Sequence, residues 1–417
     1  MVTTSSDSGG GSLRQAILDA EARPGPDVIA FDSEFFHDPQ TVKLESPLPE
    51  ISGELTIDGY IEKALWIPTG AILSGGGRFP VLRVGKDARL TVRYLTVAQG
   101  FSRDGGGLLN SGHLAVHGVT FLDNRAERAG GAIANLDGVV TVVNSTFAGN
   151  RAADKGGALA NLSGSATITN CTFSENAAER GGAVFSGGRL LLRNSILANS
   201  STGGDCIAEH PVDPASTRNL IEENRGCGEP ISTADPHLEK LAYYNGPGQT
   251  FPVGAGSPAV NLGDNAAALD ENGQPLVWDQ RGSGDPRFVA GFTDLGAFEH
   301  QRHPYLVVDT LEDTPLRACT EPGPQDCPLR GAIEIANARP GPDVITFDPK
   351  VFAEPQSLQT TRPLPEVTSP LTLDASGTGG VTIAVEGERA GPTSSPGTKV
   401  QLVEVRLLAG GKSPATP

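Results

Sequence analysis

Four paired glycines cut residues 105–199 into near-copies of one line. The pairs are Gly106-Gly107, Gly130-Gly131, Gly156-Gly157 and Gly181-Gly182. The lines they open read GGLLNSGHLAVHGVTFLDN, GGAIANLDGVVTVVNSTFAGN, GGALANLSGSATITNCTFSEN and GGAVFSGGRLLLRNSILAN. A period of roughly 25 residues, with short strand patterns and no helical one, specifies a solenoid whose repeats pack on their neighbours. A propeller blade needs about 40 residues and four strands, so this repeat is too short for one.

Aligning the lines on Phe121, Phe147, Phe173 and Leu197 exposes the strands. Leu114 and Val116, Val140 and Val142, Ala166 and Ile168, and Leu190 and Leu192 precede that column at every second position. Alternation with period two is a strand with one buried face. Three residues before the Phe column stand Gly118, Asn144, Asn170 and Asn194, where strict alternation would point inward. The parity breaks there, so the chain must turn, and Gly and Asn enter the left-handed region most cheaply. These four should stack at one corner, with the three Asn amides bonding to one another. Each line is then strand, Asn corner, strand, charged turn, paired glycines and a third short strand such as Ala132-Ile133-Ala134. The fold class this implies is all-β: a right-handed parallel β-helix rising about 4.8 Å per coil, closed by short capping helices.

Composition agrees, with 53 Gly and 32 Pro in 417 residues. The net charge of −17 argues against nucleic acid, which requires a basic face. It also disfavours anionic membranes and acidic polymers unless calcium bridges them; no other cofactor is implied. No apolar run approaches the 18 or so residues of a membrane span. The opening residues MVTTSSDSGGG have no signal-peptide character, so an exported chain would have lost its leader ahead of Met1. Of five cysteines, Cys206 with Cys227 and Cys319 with Cys327 form close pairs. They read as disulfides of an oxidising compartment, with two pairs of free thiols as the alternative. Cys171 sits in an inward column and reads as a buried thiol.

Residues 12–23, SLRQAILDAEAR, carry helical spacing at Leu13, Ala16, Ile17 and Ala20, and Ser12 with Gln15 makes a capping box. A short amphipathic helix there would cap the open end of the core. Val28–Phe31, Thr41–Leu44 and Leu55–Asp58 read as the first coils. Residues 200–235 read as a loop or distorted coil stapled by Cys206 and Cys227. Further on, Asp279 and Arg281 of DQRG read as a buried, bidentate ion pair closing the end of the solenoid, with a functional site as the alternative. PLRGAIEIANARPGPDVITFD (328–348) then matches SLRQAILDAEARPGPDVIAFD (12–32) without a gap, and the match continues in register through Asp374. This is a duplication. The expected organisation is a β-helix with its cap and closing region over 1–300, a truncated second opening over 301–408, and a disordered tail over 409–417.

Several motifs resemble known families. VTTSSDSGGGSLRQAI is similar to the start of bacterial exported β-helix proteins with a CSLREA-type domain, although Gly11 replaces the Cys. DCPLRGAI (326–333) also resembles that signature and keeps its Cys. The GGA-plus-FxxN coils resemble polymorphic outer-membrane repeats, and SPAVNLGD, DQRG and DLGAFE resemble a choice-of-anchor Q region. The resemblance implies an extracellular or surface protein, with adhesion or display as its role, and transfers no catalytic residue.

Two functions remain in view. One is a non-enzymatic surface or secreted solenoid binding a glycan or a surface protein. The other is a polysaccharide lyase or glycoside hydrolase of the pectate-lyase-like class. The charged turns NRAERA, NRAADK and NAAER read as a solvated ridge, with Arg128, Asp154 and Glu179 in column. Asp123 and Glu175 share a column, but Gly149 separates them, which sets them near the outer limit of about 9.5 Å for a hydrolase pair. His113 and His117 read as surface residues. Aromatic residues are only 5% of the chain and the Phe column points inward, which favours the non-enzymatic class.

Overall fold

The chain coils because three residues in each repeat take left-handed backbone, one at each of three corners. The computed structural model describes residues 1–60, 70–244, 246–254, 257–283, 285–289, 292–300, 305–313, 327–338, 343–360, 362–368, 370–386, 392–396 and 398–410. It divides into two compact units, Met1–Arg287 with Phe292–His300, and Phe288–Gly291 with Gln301–Pro417. The expected division at residue 300 thus misses Phe288–Gly291.

In the first unit each regular coil has four sides rather than three strands. The first side holds five-residue strands such as His113–His117, Val139–Val143 and Ser165–Thr169, in a seven-stranded parallel sheet that begins at Asp27–Ala30. The second holds Thr120–Leu122, Thr146–Ala148 and Thr172–Ser174 in an eight-stranded sheet. The third is made by Phe101–Asp104, Arg125–Ala129 and Arg151–Ala152. The expected charged turn is therefore a sheet, because Arg125 and Ala126 pair in parallel with Arg151 and Ala152. The fourth side carries Leu108–Asn110, Ile133–Asn135 and Leu159–Asn161.

Between the first and second sides stand Tyr94, Gly118, Asn144, Asn170 and Asn194, with φ of 51°, 68°, 46°, 50° and 49°. The parity break seen in the sequence is this corner. The second corner is Gln99, Asp123, Gly149, Glu175 and Asn199, and the third is Gly105, Gly130, Gly156 and Gly181, all at positive φ. The second glycine of each pair has a different cause. A Cβ on Gly131 would lie 2.2 Å from the Gly157 carbonyl oxygen of the next coil, so the paired-glycine corner is backbone against backbone.

The core is filled in columns. Phe121, Phe147 and Phe173 stack with centroids 4.7 and 4.3 Å apart and planes within 6°. Two amide ladders run beside them. Asn124 Nδ2 donates to Asn150 Oδ1 at 3.0 Å, and Asn150 Nδ2 to Asn176 Oδ1 at 3.0 Å. Asn110 donates to Asn135 at 2.7 Å, Asn135 to Asn161 at 2.8 Å, and Asn161 to Ser186 Oγ at 3.0 Å. Stacking satisfies amides that would otherwise cost free energy when buried. Cys171 is the free cysteine among the described residues, and burial pushes its thiol up to about 12.

Helix α1, Leu13–Glu21, lays Leu13 and Ile17 into this core, with Ala16 packed against it. Its capping box is half made. Ser12 Oγ accepts from Gln15 N at 3.2 Å, but the Gln15 side chain donates to Asp19 instead. Arg14 forks onto Asp7 and also reaches the Pro47 and Ser46 carbonyls. Cys206 and Cys227 form a disulfide at the far end, tying strand Cys206–Ala208 to Asn224–Arg225.

The described residues of 257–287 and 292–300 are a flank, which corrects the expectation that Asp279 and Arg281 close an end. Gln280 bonds Thr120 and Thr146 of the second side, and Ala297 N donates to Thr172 Oγ1 at 2.9 Å. The flank also takes the corner amides. Asn144 Nδ2 donates to the Trp278 carbonyl (2.7 Å), Asn170 to that of Asp294 (3.4 Å) and Asn194 to that of Asp264 (2.9 Å). The corner ladder is thus mostly replaced by bonds outward, with only Asn194 to Asn170, at 3.4 Å, made between amides.

The second unit repeats the opening. Helix α2, Leu329–Ala338, sits over a core of its own that includes Ile333, Phe347, Phe352 and Leu373. Two parallel sheets follow, Tyr305–Val308, Asp343–Phe347, Leu371–Asp374 and Val400–Val403 in one, and Gln356–Thr360, Val381–Glu386 and Val405–Gly410 in the other. Arg330 repeats the Arg14 fork, onto Asp313 and the Pro363 and Arg362 carbonyls. The last strand runs to Gly410, into the stretch expected as tail; residues 411–417 lie outside the described ones. Cys319 does too, so its expected pairing with Cys327 has no geometry here.

Candidate functional site

The third side is concave. Along it one outward column reads Phe101, Arg125, Arg151, Ala177, Thr202, each paired with the next. Beside it runs a floor of Ala126, Ala152 and Ala178, which pack on one another. Small side chains here, between the second corner and the paired glycines, leave a trough of about 1220 Å³. Four strand spacings of about 4.8 Å make it roughly 19 Å long. Gly76 and Gly77 stand at one end and Thr202 at the other.

Charge lines the trough in both signs. Arg125 and Arg151 stack in register, and Asp123, Glu127 and Glu179 also face it. Partial burial raises the Asp123 carboxyl above its ordinary value, against the pull of Arg151. Asp123 leans over the bare Gly149 position, where a Cβ would meet its Oδ1 at 2.5 Å. Glu175 shares the corner but does not line the trough. Arg128 and Asp154 stay on the outer margin, where Arg128 forks onto Asp104 at 2.8 and 2.7 Å. Among the described residues no three His, Cys, Asp or Glu side chains cluster as a metal site requires.

Two other polar clusters belong to the flank. Asp279, Arg281, Asp285, Arg287, Asp294 and Glu299 are all buried. Arg281 pairs with Asp279 and Asp285 and lies 3.8 Å over the Phe298 ring, and Arg287 pairs with Glu299 at 2.6 Å. At the other cluster His117 Nδ1 lies 2.9 Å from Glu271, which also holds Arg93. His117 is therefore pinned rather than simply exposed, whereas His113 is exposed. Burial opposes ionisation of Glu271, but the bond to His117 and the charges of His117 and Arg93 outweigh it and bring the carboxyl down to about 2.

Residues 90–234 match a family described as the right handed beta helix region. No curated protein and no solved structure matches the chain. With the solenoid traced above, the chain is a right-handed β-helix repeat protein.

Proposed function

We propose that the chain is an exported, non-catalytic β-helix that holds an extended glycan in the trough of its third side. The observation that carries this is the continuous trough with Arg125 stacked on Arg151 and carboxylates along both margins. Forked guanidiniums and carboxylates suit the paired hydroxyls of a polysaccharide, and the alanine floor leaves width for a chain of rings. The Cys206–Cys227 disulfide supports export, since such bonds persist in oxidising compartments. The resemblance of SLRQAI and DCPLRGAI to the CSLREA signature supports the same reading.

A glycan-array screen followed by calorimetry on the full chain tests it. Arg125→Ala with Arg151→Ala should weaken binding at least about tenfold, about 1.4 kcal/mol. Arg189→Ala, on the first side, should leave it unchanged. Equal loss in both variants, or no glycan bound, overturns the reading. Asp123 favours a second reading, a lyase or hydrolase, because a carboxyl raised beside a guanidinium in a cleft is a candidate acid or base. Polysaccharide cleavage, assayed with and without added calcium and lost in Asp123→Asn, would replace binding by catalysis.

A further inference from the structure

The flank carries more buried acid than base. Among the described residues its buried cluster holds four carboxyls, Asp279, Asp285, Asp294 and Glu299, and two guanidiniums, Arg281 and Arg287. Most of the carboxylate oxygens are spoken for. Asp279 accepts from Arg281 and from Glu299 N, and Asp294 accepts from Asn261 N and His300 N at 2.7 and 2.5 Å. Glu299 Oε2 accepts from Arg287 and from Asp294 N. Glu299 Oε1 is buried and has no hydrogen-bond partner among the described residues. With all six groups ionised, carboxylates would outnumber guanidiniums in a buried setting, which is more costly than holding a proton.

We propose that Glu299 carries a proton in the docked flank, on the oxygen that no donor reaches, and that losing it releases the flank from the second side. The flank is then a proton-held clasp over Thr120, Thr146 and Thr172 and over the Asn corner. Charged and titratable groups face Glu299 from all around it. Arg287 pairs with its carboxylate, and Asp294 lies beside it, its far oxygen accepting from the His300 backbone N–H while the His300 ring lies on the Val253 carbonyl. Asp279 receives the Glu299 amide, and Arg281, paired with Asp285, donates to its carbonyl. From the solenoid, Cys171 faces Arg287. Burial first, then the charge of Asp294, raises the Glu299 carboxyl well above its ordinary value, and burial raises Asp294 as well.

The sign follows from linkage. An acid whose folded value is raised binds its proton more tightly when docked. Docking is therefore strongest below the ordinary carboxyl value of 4.5 and weakens as pH rises toward the folded one. One linked proton changes the opening constant by about tenfold per pH unit across that window. Hydrogen exchange of the full chain, corrected for intrinsic rates, should show protection of 277–283 and 292–300 falling on that slope. Protection of strand Ile133–Asn135 on the fourth side should stay constant. Glu299→Gln should keep the flank protected at high pH. Equal pH dependence in the variant, or loss of protection at both places together, overturns the proposal. Infrared spectra of the unaltered protein give a readout that needs no variant. A protonated-carboxyl band should be present while the flank is docked and titrate with flank opening, and its absence from the docked state overturns the proposal too.

Discussion

At the scale of the residue, the corner asparagines do two things that a different side chain would separate. Their backbone sits at φ near 50°, and their amides hold the flank. Asn170→Gly keeps the first and loses the second, whereas Asn170→Val loses both and forces a β-branched residue into a conformation costing about 1–3 kcal/mol. Thermal denaturation should rank them wild type, glycine, valine. A valine variant as stable as the glycine one would show that the left-handed corner carries no strain. The backbone demand was legible in the sequence because alternation breaks at that column. The amide partners were not, since Trp278, Asp264 and Asp294 arrive from a segment whose path no local pattern states. The inward ladders left a signal in the repeated Asn110, Asn135, Asn161 and Asn124, Asn150, Asn176. That signal lies in columns where apolar residues are the rule, and only stacking shows how each amide is satisfied.

At the scale of the element, the duplicated Arg fork explains why SLRQAI and PLRGAI share an arginine. Arg14 and Arg330 each tie a capping helix to an acidic residue ahead of it and to two carbonyls at the Pro-Leu-Pro-Glu turn. Duplication made the helices and following strands readable, since each copy vouches for the other. The partners Asp7 and Asp313 lie in stretches of different length and composition, so the fork itself was hidden. The Arg330–Asp313 pair is buried, both side chains being about 5% exposed. Arg330→Met would remove the guanidinium from a buried carboxylate and should cost about 3–5 kcal/mol. The check is hydrogen exchange in α2, which should accelerate while α1 stays protected. Unchanged α2 exchange would show that the fork adds nothing to the cap. The trough was misread for a related reason. NRAERA and NRAADK have turn composition, and only parallel pairing of Arg125 with Arg151 makes them a concave sheet.

At the scale of the whole molecule, a stack that pairs only neighbours is weakest at its ends. α1 guards one end of the first unit, and the Cys206–Cys227 bridge, spanning 21 residues, guards the other. A loop of that size contributes about 2–4 kcal/mol. Cys206→Ser with Cys227→Ser should lower the denaturation midpoint accordingly and expose Cys206–Arg225 to proteolysis before the Phe-lined coils. Cleavage beginning in those coils instead would mean the bridge is not what holds that end.

The likeness of one coil to the next has a cost that the flank resolves. Phe121 would stack on Phe173 as well as on Phe147, and Asn124 would donate to Asn176 as readily as to Asn150. During folding, a coil settled one place out of turn would still find the Phe and Asn columns matched. Those columns do not count coils. The flank does, because its contacts are made with individuals: Glu271 with Arg93 and His117, Arg287 with Asn144, Asp264 with Asn194. Those partners lie at intervals along the axis that only a correctly numbered stack reproduces. The least repetitive stretch of the first unit is thus its ruler, fitting in full only when no coil has been skipped.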